Sequence, residues 1–165
     1  MFKRMNPVIW GLFAMLVAVQ SVAASSLDTL GAGTQALDKH TGKGKWLVVM
    51  LWASDCHVCN EEVEQYNAFH LNRHDKDAEV LGVSLDGRQG QADAESFLQR
   101  HDVKFPNLIG EPEQVARLYN QQTGSRWIGT PSFLVYSPTG ELMARQAGAV
   151  PVELIESFIS KHAAK

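Results

Sequence analysis

Apolar residues recur along this chain with two different periods. Trp46–Trp52 is an unbroken apolar run, the pattern of a strand buried on both faces. Ala53-Ser54-Asp55 then turns the chain. From residue 59 to about 74 the spacing becomes helical, with Val63, Tyr66 and Phe69 or His70 returning to one face. Glu61, Glu62 and Glu64 crowd the predicted first turns, where acids favour the positive end of a helix. The same reading predicts a strand over 79–85, a helix over 91–101 with Phe97 and Leu98 inward, a short strand over 105–109, and a helix over 111–120 with Val115 and Leu118 on one side. A strand over 132–136, the turn Ser137-Pro138-Thr139-Gly140 and residues 141–148 form a hairpin. A closing helix runs over 151–162, with Pro151 near its first turn. The order β-α-β-α-β-α-β-β-α predicts an α/β fold whose central mixed β-sheet is flanked by helices.

The chain before Trp46 falls outside that alternation. Lys3 and Arg4 precede a mostly apolar run over 8–19, followed by Gln20-Ser21-Val22-Ala23-Ala24. This is the layout of a secretory signal peptide over 1–24, cut after Ala24, and the run is shorter than the ~20 residues a spanning helix needs. The other reading is an uncleaved anchor that leaves the domain facing the periplasm. Residues 25–44 carry Gly31, Gly33, Gly42 and Gly44 among small and polar residues. They are expected to form a flexible N-terminal lead-in with one short strand near 27–30, which leaves 45–165 as the domain.

Composition narrows the class without identifying a task. A length of 165 residues, 45% hydrophobic and 20% charged, fits one soluble globular domain able to bury a core without disulfide staples. The formal net charge is -3 with no basic face, so nucleic acid is not an expected partner.

The chemistry gathers at Cys56 and Cys59. Export places them in an oxidising compartment. A disulfide between them closes almost no loop, and stabilisation grows with loop length, so the pair is better suited to being opened and closed than to stapling the fold. It stands where a buried strand ends and a helix begins. The first helical turn offers free N–H groups and a positive partial charge to a thiolate, the attacking species in disulfide exchange. Cys56 is the expected exposed nucleophile. Cys59, one turn on and facing inward, is placed to resolve a mixed disulfide.

The segment Trp52-Ala53-Ser54-Asp55-Cys56-His57-Val58-Cys59 resembles the Trp-Ala-x-x-Cys-x-x-Cys active-site segment of the thioredoxin superfamily. Thr130-Pro131, followed by Ser132-Phe133-Leu134-Val135, resembles its cis-proline segment, and residues 91–109 resemble the central helix–strand insert of the TlpA/ResA-type periplasmic thioredoxins. The resemblance covers roughly 45–162 and implies a thioredoxin-like fold. It also implies that Pro131 is a cis-proline facing the cysteines and that the Thr130 backbone bonds an extended peptide by strand addition. Trp52 is expected to pack beside the active site and is also a candidate for touching substrate, and Trp127 is a candidate either for lining the substrate groove or for a core or surface aromatic. A membrane electron donor of the DsbD or CcdA kind is the implied partner, and cytochrome c maturation is a common setting.

Departures from the pattern bear on reactivity. Thioredoxins place a buried Asp six residues before the first cysteine, where this chain has Met50. In the ResA-type branch an acid follows the second strand, and Asp86 is the nearest match, either as a proton-handling group or as part of an Asp86-Gly87 turn. Asp55 beside Cys56 disfavours the thiolate, unless it points to solvent and is screened. His57, when protonated, pulls the other way. His70 and His74 are spaced i,i+4 without a third ligand and are expected as helix-surface residues, not a metal site. Haem attachment needs a His after the second cysteine, where Asn60 stands.

These features point to an exported thiol–disulfide oxidoreductase whose only redox group is the Cys56–Cys59 pair, acting on disulfides or thiols of other exported proteins, with reduction the expected direction. The alternatives are an oxidase or isomerase, and a non-enzymatic chaperone or Cu(I)-binding module using both thiolates. Peroxidase chemistry calls for a Thr three residues before the reactive cysteine, and Ala53 is there instead.

Overall fold

The computed structural model describes residues 26–30 and 34–163; the expected signal segment lies outside them. Strand β1 (Ser26–Thr29) and β2 (Thr34–Ala36) precede a short 3-10 turn (Leu37–Lys39) and the long central strand β3 (Trp46–Trp52). Then follow α1 (His57–Arg73), β4 (Ala78–Ser84), α2 (Gln91–Arg100), β5 (Asn107–Ile109), α3 (Pro112–Thr123), β6 (Ser132–Tyr136), β7 (Leu142–Ala147) and α4 (Val152–Ala163). The sheet order is β2-β1-β5-β4-β3-β6-β7. The pairs β3–β4 and β4–β5 are parallel, and the remaining neighbours are antiparallel. The predicted α/β class, mixed sheet and element order from β3 onward are all present.

Strand β3 explains why the sheet is covered on both faces. Side chains alternate across a strand. Val48, Met50 and Trp52 enter one core with Cys59, Val63 and Tyr66 of α1, Phe97 of α2 and Ile155 of α4. Leu47, Val49 and Leu51 enter the other core, with Val115 and Leu118 of α3. Every residue of β3 is buried, so an apolar run without alternation is what this position requires.

Residues 26–29 and 34–39 correct one expectation, that of a single short strand near 27–30. Instead of a lead-in with a single strand, they form two strands and a turn, and β1 pairs with β5 through Asp28↔Ile109 and Thr29↔Leu108. Leu27 and Leu37 are buried in the α3-side core. The short spacing of glycines masked this, because a four-residue and a three-residue strand leave little room for a period to register.

Helix α1 begins at His57, two residues earlier than its apolar spacing indicates, with Cys56 as N-cap. The glutamates therefore sit beyond the first turn and hold neighbours instead of complementing the helix dipole. Glu62 accepts the Val150 N–H at 3.0 Å, and Tyr66 donates its hydroxyl to the Val150 carbonyl at 2.8 Å. His70 is buried, not a surface residue: its Nδ1 accepts the Val80 N–H at 3.1 Å. Strand β5 reaches only Gly82–Ser84 of β4, so this N–H finds its partner on α1.

Candidate active site

The end of β3, the start of α1, the end of β4 and the segment before β6 meet at one end of the sheet. Cys56 and Cys59 are joined as a disulfide with a Cα–Cα distance of 5.2 Å. Cys59 is fully buried among apolar side chains, while Cys56 is half-buried. The Cys59 N–H donates to Cys56 Sγ at 3.1 Å. A free N–H of the first helical turn thus points at the outer sulfur, the arrangement that stabilises negative charge there.

The segment leading to Cys56 is clamped by Asp86. The Ser54 N–H lies 3.1 Å from both carboxylate oxygens, the Ser54 hydroxyl donates at 2.7 Å, and the Ser84 hydroxyl donates at 2.6 Å. Asp86 closes this small network through its own N–H, which donates to Ser84 Oγ at 3.0 Å. Both of its oxygens are engaged at the Ser54 and Ser84 donors.

The polar side chains flanking Cys56 are both exposed. Asp55 is exposed. The His57 side chain is 86% exposed and lies 3.2 Å from Glu61. Met50, at the position of the superfamily's buried acid, is fully enclosed in the apolar cluster that holds Cys59.

Thr130-Pro131 is a cis peptide bond, as the resemblance implies. The Pro131 carbonyl accepts the Gly148 N–H at 2.9 Å. Thr130 and Trp127 line an open groove of about 390 Å³ together with Asp55, Asp86 and Asp93, so these candidates do converge. Trp52 does not join them. It is 1% exposed, stacks on Phe97 at 4.3 Å and donates its indole N–H to Asn107 Oδ1 at 2.9 Å. Trp52 thus has the packing role expected of it beside the site, and the alternative that it touches substrate is corrected. Gly82 makes that contact possible, since a Cβ there would lie 1.7 Å from Asn107 Oδ1 and 2.9 Å from the Trp52 nitrogen.

Asn60 is a site residue that sequence reasoning missed. Its amide donates to the Cys56 carbonyl at 2.9 Å, and its Oδ1 lies 2.9 Å from His101 Nε2 at the end of α2. The signal available was a polar residue four positions after Cys56, on the same face of the helix. Among the described residues, no group of three His, Cys, Asp or Glu side chains is placed to hold a metal ion, and no helix is long and apolar enough to cross a membrane.

The sequence profile of the AhpC/TSA family matches residues 19–145. The chain is 26% identical over 119 residues to the thiol-disulfide oxidoreductase ResA of Oceanobacillus iheyensis, a match covering 72% of this chain and 57% of that relative. It is 20% identical over 145 residues to the thiol-disulfide oxidoreductase YkuV of Bacillus subtilis, covering 77% of this chain and 93% of YkuV. The match to ResA thus spans less than two thirds of that relative's length. Among solved structures, the thioredoxin domain of a thiol-disulfide oxidoreductase from Bacteroides vulgatus superposes with a TM-score of 0.66 at 20% identity, covering 81% of this chain and 91% of that one. The exposed lipoprotein thioredoxin of Streptococcus pneumoniae gives a TM-score of 0.64 at 22% identity, covering 82% and 97%. The fold is thioredoxin-like.

Proposed function

The chain belongs to the AhpC/TSA family, and on that premise we propose that it is an exported thiol–disulfide oxidoreductase that reduces disulfides in other exported proteins. The observation that carries this reading is the asymmetry of the pair: Cys56 half-buried at the N-cap of α1 with an N–H aimed at its sulfur, and Cys59 enclosed behind it.

In the reduced protein the Cys56 thiolate attacks one sulfur of a client disulfide. A Cys56–client disulfide forms and the client's other sulfur leaves as a thiolate. Cys59, deprotonated, then attacks Cys56 Sγ and releases the client's first sulfur. The client gains two electrons and takes up two protons, and Cys56–Cys59 is left oxidised. Thr130 offers backbone hydrogen bonds to the extended client segment beside Pro131, and Trp127 walls the groove. Asp86 positions the segment before Cys56 through Ser54. A dithiol protein of the DsbD or CcdA kind in the membrane returns the pair to its reduced form, and cytochrome c maturation is one setting for such a reductant.

Peroxide reduction is not favoured, because Ala53 supplies no hydroxyl and the Ser54 hydroxyl is bound to Asp86. The test is insulin disulfide reduction by the reduced protein. Turnover that disappears in Cys56→Ser, with a stable mixed disulfide accumulating in Cys59→Ala, is expected. No turnover by the unsubstituted protein would overturn the reading.

A further inference from the structure

Trp127 lines two cavities. One is the groove beside Asp55 and Thr130; the other is an open pocket of about 890 Å³ between α3 and the segment that leads to the cis-proline. The second pocket is lined by Ala116, Arg117, Asn120, Arg126 and Ile128. Its character differs from that of the first. The groove beside the cysteines carries Asp55, Asp86 and Asp93, whereas the pocket beyond Trp127 carries two arginines and no acid.

Those arginines are exposed and uncommitted. Arg73 and Arg88 pair with carboxylates, Arg100 reaches Asn60, and Arg145 donates to the Thr123 carbonyl and to Ser125. Arg117 and Arg126 have no hydrogen-bond or ion-pair partner among the described residues. Beside them Ile128 is 78% exposed, a large apolar side chain left in water two residues before Thr130. A guanidinium fork recognises carboxylates, and an apolar platform next to it holds the flanking part of a bound chain.

We propose that this pocket is a second binding site for the client, taking a carboxylate-bearing residue of the extended segment on the α3 side of its reacting cysteine. The proposal rests on the function argued above and adds a specificity to it. The polarity is fixed by the two walls: a carboxylate is attracted at Arg117 and Arg126 and repelled at Asp55 and Asp93.

The test uses disulfide-bonded peptides in which Glu, Gln or Lys is scanned through the positions flanking the cysteine. The full-length reduced protein is expected to favour Glu over Gln about fivefold at one position or a short run of positions on one side. That is the scale of one or two solvent-exposed ion pairs, and the preference should shrink as salt is raised. Arg117→Gln with Arg126→Gln should abolish the ratio, and Arg117→Glu with Arg126→Glu should invert it towards Lys. A Glu-to-Gln ratio near one at every position, or one that survives both double substitutions, would overturn the proposal. Hydroxyethyl disulfide, which has no flanking residues, separates the two readings. If the unsubstituted protein reduces neither it nor insulin, the enzymatic reading has failed. The pocket is then judged by fluorescence anisotropy with labelled peptides carrying Ser for Cys: tighter binding of Glu than Gln peptides, lost in the double variants, supports it, and equal binding overturns it.

Discussion

The Asp86 carboxylate holds Ser54 by both its N–H and its hydroxyl, at 3.1 and 2.7 Å, and so ties the end of β4 to the residues that lead into Cys56. A charged acceptor bound by several donors is costly to delete, because each donor loses a charge-assisted bond. Asp86→Ala is expected to lower stability by about 1–3 kcal/mol in urea unfolding. Asp86→Asn, which keeps one acceptor oxygen, should lose less. Because Asp86 acts through Ser54, Asp86→Asn should slow insulin reduction without changing the shape of its pH–rate profile. A displaced limb of that profile would mean that the carboxyl itself carries a proton in the reaction.

Met50 tests how dry the surroundings of Cys59 are. It is fully buried in the same apolar cluster, with no polar partner provided. Met50→Asp, which restores the acid found at this position in thioredoxins, is expected to destabilise the fold by roughly 3 kcal/mol or more, since an unpaired buried carboxyl lacks compensation. Met50→Leu conserves volume and should cost under ~1.5 kcal/mol. Chemical denaturation of both variants checks the contrast.

In the sequence, Asp55 and a protonated His57 stand as opposing influences on the Cys56 thiolate. Both side chains are exposed, and His57 is turned toward Glu61. Exposed charges interact by under ~1 kcal/mol, and 30 mV corresponds to about 1.4 kcal/mol for a two-electron couple, so Asp55→Asn and His57→Ala should each move the reduction potential by less than about 20 mV at physiological salt. A larger displacement would show that one of them is held against the sulfur in the reduced protein.

His70 makes stability pH-dependent. Burial, then His74, holds its pKa below the ordinary 6.5, and its neutral Nδ1 accepts the Val80 N–H. The unfolded chain therefore binds a proton that the folded one resists, so stability falls as pH drops below about 6.5 and continues to fall until the folded-state pKa is passed. His40, also lowered mainly by burial, acts in the same direction. His70→Gln keeps an acceptor that does not titrate, and it is expected to flatten the acid side of the stability–pH curve measured by urea unfolding.

The helices and strands after residue 45 were legible because each buries a face with a clear period, and the cysteines because strand, pair and helix follow one another directly. The short strand at 26–29 was legible too, but β2 at 34–36 was not, since so short a segment gains its meaning from pairing with β1, itself placed by β5 some 80 residues further on, and leaves no local mark. Trp52 was legible as a packing residue, though not the core it enters. Its place beside the cysteines in the chain does not say which of the two cores it enters, and the structure puts it in the one that holds Cys59 and Phe97. Asn60, Arg117 and Arg126 become informative only when α1, α2, α3 and the cis-proline segment are brought together in space.

The direction of electron flow rests on one quantity, the reduction potential of Cys56–Cys59, measured by equilibrating the protein with defined thiol–disulfide buffers. A client reductant requires a value near ~-270 mV, the range of thioredoxin, whereas a value near ~-120 mV, the range of the oxidant DsbA, would contradict that role.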